Sequence, residues 1–143
     1  MSSRRASRER LLQVLYQYQV AGQWTDLAVL QQAFPGAGRE GSSPEDEPFL
    51  SQLHAALQER RSEIDRLIEE ASRNWRLARM AAVDLSVLRL ATAELLVGTA
   101  PPRVVLNEAV ELAKQYGAET SATFVNGVLD GVLRRLHPPD ASD

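Results

Sequence analysis

The chain has 143 residues, of which 44% are hydrophobic and 24% are charged, and its formal net charge is -3. This length suits one compact domain, or two small halves that share an interface. The net acidity argues against a protein coated with positive charge for nucleic acid, and the absence of cysteine excludes disulfides and thiolate metal sites. No apolar run approaches the roughly 20 residues of a membrane span, and glutamines interrupt the first apolar run, which argues against a secretory signal. We therefore expect a cytoplasmic protein without membrane contact.

The first predicted helix begins with an unusual concentration of arginine. Helical periodicity predicts this helix from about residue 3 to residue 20, and its first turns carry four arginines against one acid, Glu9. Arg4, Arg5 and Arg8 fall on the stripe that continues as leucines, so we expect the helix to project beyond its core and to present cations. A helix N-terminus already carries partial positive charge, so this placement is unfavourable unless a negative group meets it.

An RNA ligand is one explanation for these arginines. Guanidinium groups bind phosphates in a forked geometry, and Tyr16 and Tyr18, two turns later, are of the residue type that stacks on single-stranded bases. The alternative is an ordinary solvated helix end, and the residues alone leave both explanations open.

The rest of the N-terminal half is also predicted to be helical. A second helix covers residues 26–34, and residues 35–48 form a long loop rich in proline, glycine and serine. Residues 49–72 form either one long helix or two helices with a break near Ser62. Ser62 and Asp65 have the spacing of a capping box at such a break.

Three further helices are predicted in the more apolar C-terminal half. The first starts at Asp84, a plausible N-cap, and ends at Gly98; it is apolar almost all round and should be the central buried helix. The second buries Tyr116 and ends at Gly117. The third begins at residue 120 or 121.

The last helix should bury Phe124, and it contains two glycines, Gly127 and Gly131, on one side. Each glycine costs about 0.5–1 kcal/mol relative to alanine in a helix interior. We expect the close approach of another helix to compensate this cost, with local flexibility as the alternative.

No grouping of residues indicates catalysis, a metal or a cofactor. Residues 36–41, GAGREG, match G-x-G-x-x-G, but a dinucleotide site needs a preceding strand and a helix that opens on the motif, whereas here a helical segment precedes and a loop follows. We expect His54 and His137 at the surface, and residues 44–47, PEDE, are more simply an acidic helix start than a cation site. We therefore expect no catalytic residue, no metal ligand and no cofactor.

Three blocks of the C-terminal half, VDLSVLRLATAELL, VLNEAVELAKQYG and FVNGVLDGVLRRL, strongly resemble the NusB family of bacterial antitermination factors in order and spacing. RRASRERLLQVLYQY resembles the arginine-rich first helix of that family. The resemblance implies an all-α fold of about six to seven helices in two small packed bundles, within a single NusB-like domain over residues 1–143. The N-terminal half would span about residues 1–72 and the C-terminal half about residues 73–139, with the loop at 35–48.

The resemblance implies a non-enzymatic protein that binds the boxA element of nascent single-stranded RNA together with NusE, a small-subunit ribosomal protein. The pair would join the other Nus factors on RNA polymerase and favour antitermination, notably on ribosomal RNA operons. By position, the resemblance assigns the RNA contacts to Arg4, Arg5, Arg8, Tyr16 and Phe124. It assigns the NusE contacts to Tyr16 and Asp84. Because Thr120 stands where some relatives have an acid, and the N-terminal tip has fewer basic residues, we expect tight RNA binding to require the partner.

Two other interpretations stay open. A NusB-like domain also stands at the front of some ribosomal RNA cytosine methyltransferases, in which case this chain would be an accessory domain. Alternatively, the chain is a structural homodimer in which the arginine face pairs with an acidic stretch of a second copy.

Overall fold

The computed structural model describes residues 3–22, 47–73 and 75–138, and these residues form six α-helices. In chain order the helices are α1 (Ser3–Ala21), α2 (Glu47–Glu59), α3 (Arg61–Ala71), α4 (Ala82–Val97), α5 (Pro102–Tyr116) and α6 (Ser121–Leu136). A single 3-10 turn, Leu77–Arg79, lies between α3 and α4. The described ranges contain no strand, which confirms the all-α prediction, and none of their helices is long and apolar enough to cross a membrane. The predicted helix at 26–34 and residues 35–46 of the predicted loop lie outside the described residues, whereas residues 47 and 48, which were expected in that loop, are the first residues of α2.

Helix α4 is the centre of the fold, as its apolar sequence predicted. Every residue from 85 to 95 is buried, and the helix packs against all five of the others. One detail of the prediction is wrong: Asp84 is not the cap. The helix begins two residues earlier, after Ala81 in an extended conformation, so Asp84 lies inside the first turn.

The stretch from residue 49 to residue 72 forms two helices, and the break is at Arg60 rather than at Ser62. No side chain caps the start of α3, so the predicted capping box is not formed. Arg60 instead binds Glu63 through two hydrogen bonds of 2.8 and 3.1 Å. The carboxylate of Asp65 does not cap the helix; both of its oxygens accept hydrogen bonds from Arg89 of α4.

The burial of two side chains is the reverse of the prediction. His54 is buried between α1 and α2, where its Nε2 lies 3.0 Å from the hydroxyl oxygen of Tyr18. Tyr116, which was expected in the core, is 40% exposed, and its hydroxyl donates to Glu9 of α1 at 2.7 Å. Partial burial and the negative Glu9 raise the pKa of Tyr116 to about 12. Each of these side chains contacts a polar group of α1: His54 contacts Tyr18, and Tyr116 contacts Glu9.

The two glycines of α6 have different surroundings. A Cβ atom at Gly131 would lie 3.1 Å from the Cβ of Ala71, so the predicted close approach of another helix is correct there. At Gly127 nothing lies within 4 Å of that position, and the prediction is wrong. Gly117 is also required by space, because a Cβ there would lie 2.6 Å from the hydroxyl oxygen of Ser121.

Candidate nucleic-acid interface

Arg8, which the sequence placed on an exposed cationic stripe, is only 4% exposed. Its Nε and Nη2 donate to the two carboxylate oxygens of Glu94 in α4, at 2.7 and 2.8 Å, and its Nη1 donates to Glu108 of α5 at 3.3 Å. The hydroxyl of Thr99 donates to Glu94 as well, at 2.8 Å. Residues 6–8 are all buried. The expectation that α1 projects beyond its core is therefore wrong, because this turn packs on α4 and binds Glu108 of α5.

Arg4 and Arg5 lie at the outer edge of the same contact, and both side chains are exposed. Arg5 donates to both carboxylate oxygens of Glu108. These hydrogen bonds hold the pKa of Glu108 below its usual value and raise the pKa of Arg5. Arg4 donates to the carbonyl oxygen of Thr99 at 2.8 Å, and its guanidinium carbon lies 4.5 Å from the ring centroid of Phe49, a cation–π distance.

These contacts explain how a helix can begin with Arg4, Arg5 and Arg8. The unfavourable positive charge at the start of α1 is met by Glu94 and Glu108, which come from two other helices and are 86 and 103 residues away from the arginines they bind. Arg8 is committed to the protein interior, whereas Arg4 and Arg5 keep surface that a ligand can reach.

Tyr16 and Asp84 lie toward the opposite end of the α1–α4 pair. The two helices are antiparallel, because Arg4 contacts Thr99 at the end of α4 whereas Gln19, near the end of α1, accepts a hydrogen bond from Arg89. Tyr16 is exposed on the later part of α1, and Asp84 is in the first turn of α4. The Oδ1 atom of Asp84 is buried and has no hydrogen-bond partner among the described residues. Its charge is favoured by the dipole of the helix start.

Phe124 is partly buried near the start of α6, and it has an aromatic neighbour that the sequence analysis missed. Trp75, in the connection between α3 and α4, packs against it edge to face, with ring centroids 6.2 Å apart and planes inclined at 75°. Trp75 is 50% exposed. In an edge-to-face pair Phe124 covers at most one flat face of Trp75, so the half-exposed Trp75 ring keeps a face for a further stacking partner.

The connection that carries Trp75 is also basic. Residues 71–83 contain three arginines and no acid. Arg73, Arg76 and Arg79 are all exposed, and none of them forms an ion pair with another described residue. The signal was available in the sequence as SRNWRLARM, a tryptophan between arginines. Among residues 3–22, 47–73 and 75–138, no three histidine, aspartate or glutamate side chains are grouped so that they could hold a metal ion.

Comparison with known proteins gives a consistent match over the chain. The model of the NusB family matches residues 5–134. A curated relative named transcription antitermination protein NusB, from Anaeromyxobacter dehalogenans (strain 2CP-1 / ATCC BAA-258), is 46% identical over 141 residues, which cover 96% of each chain.

Solved structures agree with this match. The structure of T. maritima NusB is similar with a TM-score of 0.79 at 35% identity, covering 95% of this chain and 93% of that one. A crystal structure of antitermination factors NusB and NusE in complex with dsRNA is similar with a TM-score of 0.78 at 27% identity, covering 94% and 98%.

Proposed function

Because the chain belongs to the NusB family, we propose that it is a transcription antitermination factor that binds boxA-type single-stranded RNA together with NusE. The observation that carries this proposal is the family match over residues 5–134, combined with a relative of that name at 46% identity. The name describes a regulatory factor and not an enzyme. We further propose that the protein acts in the cytoplasm, with the other Nus factors on RNA polymerase, notably at ribosomal RNA operons.

Only the exposed members of the arginine stripe are well suited to contact RNA. Arg4 and Arg5 have accessible guanidinium groups, and Phe124 lies beside an accessible ring. Arg8 would have to leave Glu94 to reach a phosphate, and removing one partner of a buried ion pair is strongly unfavourable. We therefore assign Arg8 a positioning role: it fixes the turn of α1 that displays the two exposed arginines.

NusE is proposed to bind where α1 ends and α4 begins. Tyr16 supplies exposed ring surface there, and Asp84 supplies negative charge in the first turn of α4. Tyrosine is enriched at protein interfaces because it buries a large ring and keeps a polar tip. The similar NusB that was solved in complex with NusE and RNA supports a shared assembly. We propose that Tyr16, whose ring is exposed on the same helix as Arg4 and Arg5, contributes to RNA binding as well.

The proposal is tested by fluorescence anisotropy with a labelled boxA-like RNA, first with this protein alone and then with saturating NusE. We expect NusE to tighten RNA binding at least about 10-fold, which corresponds to about 1.4 kcal/mol of coupling. RNA must tighten NusE binding by the same factor. An RNA of the same length and scrambled sequence is the control. Equal affinities with and without NusE would contradict the joint role, and absence of RNA binding in both titrations would contradict the function.

The other interpretations have less support. A homodimer through the arginine face would compete with acids of the same chain, because Arg5 and Arg8 already bind Glu108 and Glu94. Light scattering with and without RNA measures this directly: a dimer that RNA dissociates would favour the homodimer. An accessory domain of a methyltransferase is not suggested by the relatives, which are named antitermination proteins.

A further inference from the structure

The half-exposed Trp75 is held in a defined position. The hydroxyl of the buried Ser72 donates to the carbonyl oxygen of Trp75 at 2.9 Å, and the Trp75 N–H donates to the carbonyl oxygen of Ser72 at 3.1 Å. On its other side the ring rests against Phe124. The hydrogen bonds hold the backbone of Trp75 and Phe124 restrains its ring, so this half-exposed ring loses little conformational freedom when something stacks on it.

The surroundings of Trp75 favour a negatively charged partner with flat rings. Three exposed arginines lie within four residues of it in sequence, and none has an ion-pair partner in the described part of the chain. Arg73 has a positive φ of 32°, which is unusual for a residue other than glycine. Single-stranded nucleic acid is bound by this combination, in which aromatic side chains stack on bases while cations follow the phosphates.

We propose that Trp75, supported by Phe124, stacks on a base of single-stranded RNA, while Arg76 and Arg79 bind the flanking phosphates. The inference rests on the proposed function and adds a contact region that is separate from the arginines of α1. A protein partner fits less well, because a stretch with a charge of +3 and no acid gains most from a polyanion.

The first test is the fluorescence of Trp75 itself. The chain has two tryptophans, so a Trp24→Phe variant reports on Trp75 alone. We expect titration with unlabelled boxA-like RNA to quench its emission, with a midpoint that matches the dissociation constant from anisotropy. RNA that binds without changing the emission of Trp75 would overturn the stacking contact.

The second test separates stacking from charge. Stacking on one base is worth enough that Trp75→Ala should weaken RNA binding about 5- to 100-fold without changing the slope of log affinity against log salt. The double variant Arg76→Ala/Arg79→Ala should reduce that slope by about 1.4, which is about 0.7 for each phosphate contact on a single strand. Trp75→Phe, which keeps a ring, should recover part of the loss.

The control is Arg134→Ala, which also removes one exposed arginine of the chain. Arg134 lies ten residues after Phe124 on α6, or about 15 Å along the helix, and we expect its loss to change RNA affinity less than twofold. Circular dichroism confirms that each variant is folded; if Trp75→Ala is not, the Trp75→Phe variant and the fluorescence titration decide.

The outcomes distinguish this inference from the function on which it rests. Wild-type protein that binds RNA, with Trp75→Ala equally tight, overturns the inference and leaves the proposed function in place. The same holds if Trp75→Ala weakens only NusE binding, because Trp75 would then be a protein contact. A wild-type protein that binds no RNA, alone or with NusE, overturns both.

Discussion

Two arginine-rich regions of this molecule differ in whether acidic side chains of the same chain neutralise their charge. At the start of α1, Arg5 and Arg8 bind Glu108 and Glu94 of neighbouring helices, and the inner arginine is buried. In the connection between α3 and α4, the arginines around Trp75 are exposed and form no ion pair with the described residues.

A cluster of arginines along the sequence therefore does not by itself indicate whether the charges stabilise the fold or bind a ligand. The same residue type holds helices together in one region and remains available for a ligand in the other. Which of the two applies depends on acids contributed by distant parts of the chain. In this molecule the region with the higher density of arginine is the more strongly committed to structure.

The largest change in stability is expected from removing the acid that neutralises Arg8 at the start of α1. Glu94→Ala leaves Arg8 buried without its main counter-charge, which should lower the free energy of unfolding by about 3–5 kcal/mol. Urea denaturation measures the loss. Asp130→Ala is the matched control, since it removes the acid of an exposed pair with Arg134 and should cost less than about 1 kcal/mol. Similar losses in the two variants would contradict the structural role of Arg8.

A smaller change in stability is expected at the two glycines of α6. Gly131 of α6 packs against Ala71, the residue just before the turn that carries Trp75, whereas Gly127 faces open space. Gly127→Ala should therefore raise the free energy of unfolding by about 0.5–1 kcal/mol through helix propensity alone. Gly131→Ala should gain less or be destabilising, because its Cβ would crowd Ala71. Thermal melts compare the two, and the opposite order would contradict the packing described.

The smallest effect is a pH dependence that belongs to the first region alone. Arg5 holds the pKa of Glu108 below 4.5 in the folded protein. The stability this contributes is fully present above the unfolded pKa and is lost as pH falls through the folded pKa. We therefore expect Glu108→Gln to flatten the acid side of the stability curve, while Arg76→Ala leaves its shape unchanged. Urea midpoints between about pH 6 and pH 3 provide the measurement, and parallel curves for Glu108→Gln and the wild type would contradict the pairing.

The general architecture could be predicted because it depends on local patterns. The all-α class followed from helical periodicity, and the central position of α4 followed from its nearly continuous apolar surface. The similarity of the C-terminal blocks to the NusB family was sufficient to identify the family. These features need no knowledge of which helix contacts which.

The errors arise where a contact with another helix outweighs the local pattern. Arg8 continued a stripe of leucines and was expected to be exposed, but it is buried against Glu94, 86 residues away. His54 lies in a polar stretch and is buried by its contact with Tyr18. Trp75 lies in a connection without helical periodicity, and its contact with Phe124 joins residues far apart in the chain, so no helical pattern marked it as part of a site. The RNA and NusE contacts predicted from the family resemblance stay predictions: Arg4, Arg5, Arg8, Tyr16, Asp84 and Phe124.

The most direct test of the account compares the salt dependence of RNA binding between two double variants, Arg4→Ala/Arg5→Ala and Arg76→Ala/Arg79→Ala. Both remove two positive charges, and anisotropy at several salt concentrations gives the slope for each. We predict that Arg76→Ala/Arg79→Ala reduces the slope of log affinity against log salt by about 1.4. The loss at α1 should be smaller although Arg4 and Arg5 are proposed to contact RNA, because Glu108 already neutralises part of the charge of Arg5 and Arg4 already donates to Thr99. A larger loss at α1 than at the connection would contradict the account.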